Sequence, residues 1–118
     1  MNSLKVAVIQ SDLVWEDPQA NFQHFNDHIS GISDVDLILL PEMFNTGFSM
    51  ESSRLSETMD GPSVLWMKSV AESRNCVVGG SVIIEDGGKF FNRFIWVNPD
   101  GSNHYYDKRH LFRMANEH

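Results

Sequence analysis

One cysteine, Cys76, in 118 residues leaves no internal disulfide framework to build on. A reducing cytoplasm is the expected compartment. Long apolar runs are missing as well: none approaches the ~20 residues that cross a bilayer. No basic segment precedes an apolar one at the N-terminus, so no secretory signal is expected. Positive charge is scarce, with 9 Lys and Arg against 16 Asp and Glu and a net charge of −7. Such a surface disfavours nucleic acid and anionic membrane as partners. There is no repeat, linker or low-complexity stretch. At this length, with 42% hydrophobic residues, one domain at most is expected, with apolar surface enough for a core.

What is present centres on one strand end. Leu37, Ile38, Leu39 and Leu40 run continuously apolar, and Pro41 and Glu42 follow at once. Such a run reads as a strand buried on both faces. Pro41 cannot donate to a ladder and ends it. Glu42 then stands just past a strand end, where α/β folds bind ligands. A carboxylate partly desolvated there titrates higher, which suits a general base. The position fits equally well a glutamate that caps the next turn or pairs with a surface cation.

Periodicity places the neighbours. Residues 4–10 read as a mostly buried strand. Asp17 and Pro18 open a helix as N-cap and first helical residue. Phe22, Phe25, Ile29 and Ile32 give that helix one apolar face. Residues 36–40 form the second strand, and the strand–helix–strand order implies parallel pairing through a right-handed crossover. Residues 41–61 lack a period and read as a functional loop. Pro62 starts a second helix to Arg74, with Val64, Met67, Val70 and Ala71 buried. Residues 76–84, 89–97 and 102–108 read as strands, joined by turns at 85–88 and 98–101. Gly79 and Gly80 suggest a close backbone approach or a bulge. The expected order is βαβαβββ, an α/β layer fold with hairpins closing a partly parallel sheet.

Leu40-Pro41-Glu42-Met43-Phe44-Asn45-Thr46-Gly47-Phe48 resembles the glutamate motif of the nitrilase (carbon–nitrogen hydrolase) superfamily, in its omega-amidase branch. Tyr106-Asp107-Lys108-Arg109-His110-Leu111-Phe112 resembles the family's lysine motif, and Gly79-Gly80-Ser81 is also similar. The motifs fall in the right order across essentially the whole chain. The resemblance implies an αββα sandwich, with residues 1–118 the N-terminal portion of a single domain. One face of the sheet is then expected to be an uncovered apolar surface.

The resemblance also implies a Glu-Lys-Cys triad. Glu42 is the implied base and Lys108 the cation that stabilises the tetrahedral intermediate; a cysteine beyond the lysine motif attacks the carbonyl. No cysteine follows Lys108, so the chain alone is expected to be inactive. Glu117 lies near a second glutamate of the family that orients lysine and substrate, and fits equally a frayed terminal residue. The implied reaction cleaves the side-chain amide of a small 2-oxoacid, such as 2-oxoglutaramate to 2-oxoglutarate and ammonia. For the intact form the resemblance implies a homodimer, with neither cofactor nor metal. Nitrilase and N-carbamoyl amidase are the alternatives within the superfamily.

Other residues weigh less. Phe44, Thr46 and Phe48 suit a substrate pocket and a core equally. Lys108 on its own would read as a solvated lysine. Cys76 opens a buried strand and reads as a small inert hydrophobe. His24 and His28 have a helical metal spacing but no third ligand. His110 is expected to pack beside Leu111 and Phe112, and Trp15, Trp66 and Trp96 to lie in core or interface. Two competing readings remain. One is a non-catalytic fragment or binding module whose open sheet face a partner covers. The other is a metal-dependent hydrolase built from Glu42, Asp107 and histidines, which no tight ligand cluster supports.

Overall fold

The computed structural model describes residues 4–10, 13–46 and 55–111. Strand β1 (Val6–Val8) leads through helix α1 (Pro18–Ile29) to β2 (Leu37–Leu39), and α2 (Pro62–Arg74) leads on to β3 (Val77–Asp86), β4 (Lys89–Val97) and β5 (Asn103–Leu111). The strands make one sheet in sequence order. β1, β2 and β3 pair in parallel, and β3, β4 and β5 antiparallel.

Local chemistry sets the helix ends. The Asp17 carboxylate accepts from the Ala20 N–H at 3.1 Å, and Pro18 fills the first helical turn. α2 starts on Pro62 and stops at Asn75, whose φ of +52° turns the chain out of the helix. Both helices lie on the same face of the sheet. There Phe22, Phe25 and Ile29 of α1 meet Val64, Met67 and Val70 of α2 over Ile38, Val78 and Val97.

The sheet departs from expectation at its edges. β1 is shorter than residues 4–10 and mostly exposed, with Val6 42% and Val8 62% accessible. The described helices lie on one face, so Ala7 packs against the core while its neighbours on the strand turn away. β3 and β5 run further than expected. Gly87 and Gly88, at φ +62° and +79°, make a two-residue turn that lets pairing reach Asp86 and Lys89. Val6, Val8, Phe94, Trp96 and Tyr106 share the second face, exposed or half-exposed. Among the described residues no helix is long and apolar enough to cross a membrane.

Gly79 and Gly80 mark close approaches. A Cβ on Gly80 would stand 2.8 Å from Phe44 Cδ1, and one on Gly79 would stand 2.9 Å from Phe94 Cζ. The bulge lies elsewhere, on β5. Arg109 opposes Asn92 and Asp107 opposes Arg93, so Lys108 is the extra residue.

Candidate active site

Past β2 the chain is tied to β3 at three points. Leu40 N–H donates to the Gly79 carbonyl (2.8 Å), Met43 N–H to Ser81 Oγ (2.8 Å), and Phe44 N–H to the Ser81 carbonyl (3.3 Å). Met43 is thereby held at φ +49°, a left-handed backbone that costs a non-glycine residue about 1–2 kcal/mol. Beneath the turn Phe44 is fully buried, its ring centroid 6.4, 6.0 and 5.6 Å from those of Phe22, Phe25 and Trp66. The tight turn and its aromatic anchor fix where Glu42 stands.

The Glu42 carboxylate meets β4 and β5. Its Oε2 accepts from Asn92 Nδ2 at 2.8 Å and from Lys108 Nζ at 3.0 Å. Asn92 is fully buried, whereas the Glu42 and Lys108 side chains are 31% and 39% exposed. The pair is therefore reachable from solvent on one side and walled on the other. The bulge puts both Lys108 and Arg109 opposite Asn92, and that shift in pleat brings the Lys108 ammonium to Glu42.

On the opposite face the bulge is pinned by Arg93. Its guanidinium grips Asp107 through two bonds, Nε to Oδ1 at 2.6 Å and a second terminal nitrogen to Oδ2 at 3.1 Å. Asp86 accepts a third at 3.1 Å, and the Tyr105 ring lies 3.9 Å away. Hydrogen bonding to Asp107 foremost raises the Arg93 pKa, against the opposing effect of burial. Asp107 is thus committed to Arg93.

A second polar cluster braces the turn from below. Asn45 Nδ2 donates to Ser63 Oγ (2.9 Å) and to Glu57 Oε2 (3.2 Å). The Glu57 carboxylate accepts from Ser63 N–H (2.7 Å) and Ser63 O–H (2.6 Å) at the start of α2. Asn21 Nδ2 donates to the Asn45 carbonyl (2.7 Å) and to Val14 O (2.8 Å).

Of the residues singled out from sequence, Glu42 and Lys108 come together. Phe44 and Thr46 are fully buried, Phe44 among the helices and Thr46 with its carbonyl accepting from Glu16 N–H. Phe48 and Glu117 lie outside the described residues, as do Phe112 and the side chains of His110 and Leu111. Cys76 is buried, and desolvation foremost pushes its thiol pKa up, leaving a poor nucleophile. The His24 and His28 rings pack edge-on at 4.8 Å. Among the described residues no three His, Cys, Asp or Glu side chains form a metal-binding group. Trp66 stacks on Phe22 at 5.2 Å, Trp96 lies half-buried on the second face, and Trp15 is exposed.

Two contributors escaped the sequence reading of the site, Asn92 and the Ser81 hydroxyl. A signal existed for the first: Asn92 and Arg93 interrupt the aromatic run of Phe90, Phe91 and Phe94.

Comparison with known proteins adds an independent line. The chain matches the carbon–nitrogen hydrolase family over residues 5–118. It is 46% identical over 118 residues to the omega-amidase YafV of Escherichia coli K12, covering 100% of this chain and 46% of that protein. It is 26% identical over 117 residues to the 2-oxoglutaramate amidase of Bacillus subtilis, covering 96% of this chain and 45% of that protein. Among solved structures it resembles a CN-hydrolase superfamily protein from Xanthomonas campestris that carries an arsenic adduct in its active site. That match has a TM-score of 0.88 at 39% identity, over 99% of this chain and 44% of the other. The chain spans about half the length of the relatives it matches.

Proposed function

The chain belongs to the carbon–nitrogen hydrolase family, and on that premise we propose that the protein carrying it hydrolyses the side-chain amide of a small 2-oxoacid of the 2-oxoglutaramate type. The observation that carries this reading is the Glu42–Lys108 contact at 3.0 Å, made on a solvent-reachable sheet edge by residues far apart in sequence. The names of two relatives, an omega-amidase and a 2-oxoglutaramate amidase, support the substrate class.

In this proposal residues 1–118 form the N-terminal portion of one hydrolase domain, and a cysteine outside them supplies the nucleophile. Glu42 takes the thiol proton, and sulfur bonds to the amide carbon. Lys108 faces the oxyanion that develops on the carbonyl oxygen. The proton passes to nitrogen, the C–N bond breaks, and ammonia leaves a thioester. Glu42 then deprotonates a water that attacks the thioester, releasing the 2-oxoacid and the thiol. Phe48 and Glu117 remain candidates for contact with substrate and lysine. Phe44 and Thr46 act through the turn they anchor. No cofactor takes part. A cytoplasmic homodimer is part of the same proposal, the compartment resting on the single cysteine of this chain.

The exposed apolar sheet face favours a second reading, a binding module that a partner covers. One experiment separates the two. Ammonia release from 2-oxoglutaramate is followed with the full-length gene product and with its Glu42→Gln variant. The expected result is release by the wild type and a loss of about 10²–10⁴-fold or more in kcat/KM for the variant. Undiminished release by Glu42→Gln would remove Glu42 from the base role. No release from any small amide by the wild type would favour the module.

A further inference from the structure

We infer that Asn92 is a positioning residue for Glu42, fixing the rotation of the carboxylate so that Oε2 stays between the Asn92 amide and the Lys108 ammonium. The inference deepens the reaction proposed above and rests on it.

Three observations converge on Asn92. Its Nδ2 donates to Glu42 Oε2 at 2.8 Å, a bond between residues 50 apart in sequence. Its side chain is fully buried on β4, on the sheet face it shares with Phe90, Ile83 and Phe94. Its Oδ1 is buried with no hydrogen-bond partner among the described residues.

What discriminates between roles is where the amide donates, to the Glu42 carboxylate, more than the orphaned acceptor, which Asn45 shares. A buried acceptor without a donor is costly, and most buried side-chain polar atoms have a partner. Asn21 is satisfied at both ends, its Oδ1 accepting from Val14 N–H and its Nδ2 donating to the Val14 and Asn45 carbonyls. Asn45 Oδ1 also lacks a described partner, and its Nδ2 bonds stay within the Glu57–Ser63 cluster. Asn92 makes its one described bond to a carboxylate. The bond to Glu42 is what the amide is there to make. It comes from the middle of a strand paired on both sides, so the donor cannot drift. Lys108 approaches the same oxygen from the neighbouring strand, at the bulge opposite Asn92. Two donors from rigid strands on one oxygen hold a carboxylate that sits on a turn. Holding the base in one rotation keeps it within reach of the proton it must accept.

The test uses Asn92→Leu and Asn92→Asp in the full-length protein, beside Glu42→Gln. It reads the pH profile of kcat/KM with a 2-oxoacid amide, kcat and KM separately, and the urea midpoint. Asn92→Leu removes the donor together with the orphaned acceptor. The expected result is a urea midpoint equal to or above wild type. Alongside it, kcat falls by about 10- to 100-fold with little change in KM. The acid limb moves to higher pH, because the ionised carboxylate has lost a donor. Asn92→Asp sets a second carboxylate beside the first and is expected to move the limb up as well.

A purely structural role predicts the opposite pattern: activity falling only in step with folded protein, with the limb in place. An unshifted limb in both variants overturns the inference, and so does an unshifted limb in Asn92→Asp where Asn92→Leu fails to fold. If Glu42→Gln is inactive and the Asn92 variants keep the wild-type limb, the positioning role alone falls. If Glu42→Gln is active, the base role falls and the positioning role with it.

Discussion

Met43 follows Glu42 at φ +49°, and the Ser81 hydroxyl and carbonyl are what hold the turn in that shape. Single atoms matter on this scale because the turn is packed from both sides. The Phe44 ring fills the place where a Gly80 side chain would stand, 2.8 Å from an added Cβ. Gly80→Ala is therefore expected to push Phe44 out of its contacts with Phe25 and Trp66. A stability loss of about 1–3 kcal/mol should appear in urea unfolding of the full-length protein. Activity should fall further than stability alone explains, since Glu42 rides on the same turn. The glycine pair was visible in the sequence as a close approach, but its partner was not. A missing Cβ says that something comes near without saying what. Nothing local announces that Phe44, 36 positions upstream, is the neighbour that fills the space.

Elements divide into those ruled by their own residues and those ruled by their neighbours. Helix α2 begins and ends where Pro62 and the apolar spacing placed it, because both signals act within a few residues. Strands β3 and β5 outran their expected ends because pairing with β4 decides a strand's length. Glu57 shows the same dependence. In sequence it is one residue of an aperiodic loop. In the fold it bridges to Ile84 and sets its carboxylate on the first turn of α2, a helix whose N-cap, Gly61, has no side chain to offer. Glu57→Ala removes acceptors for Ser63 N–H, Ser63 O–H and Asn45 Nδ2. A loss of about 1–3 kcal/mol is expected, read as a lower thermal midpoint of the full-length protein. Hydrogen-exchange protection should fall first at the start of α2.

Among the described residues the sheet has one face under two helices and another bearing Val6, Val8, Phe94, Trp96 and Tyr106. Residues 1–118 produced alone are expected to bind an apolar dye and to self-associate as concentration rises. Val8→Lys with Tyr106→Glu should reduce both, checked by dye fluorescence and light scattering. Unchanged binding by the double variant would move the patch elsewhere. The sequence by itself determined the order of elements, the helix faces and the place of Glu42 just past a strand end, because period, caps and turns are written in neighbouring residues. Only the tertiary structure decided that Glu42 and Lys108 meet, that Asn92 joins them, that Lys108 sits on a bulge, and that Phe44 and Thr46 turn inward. Each of those depends on contacts between distant stretches of chain, and the free energy that settles them is shared among residues no local pattern links.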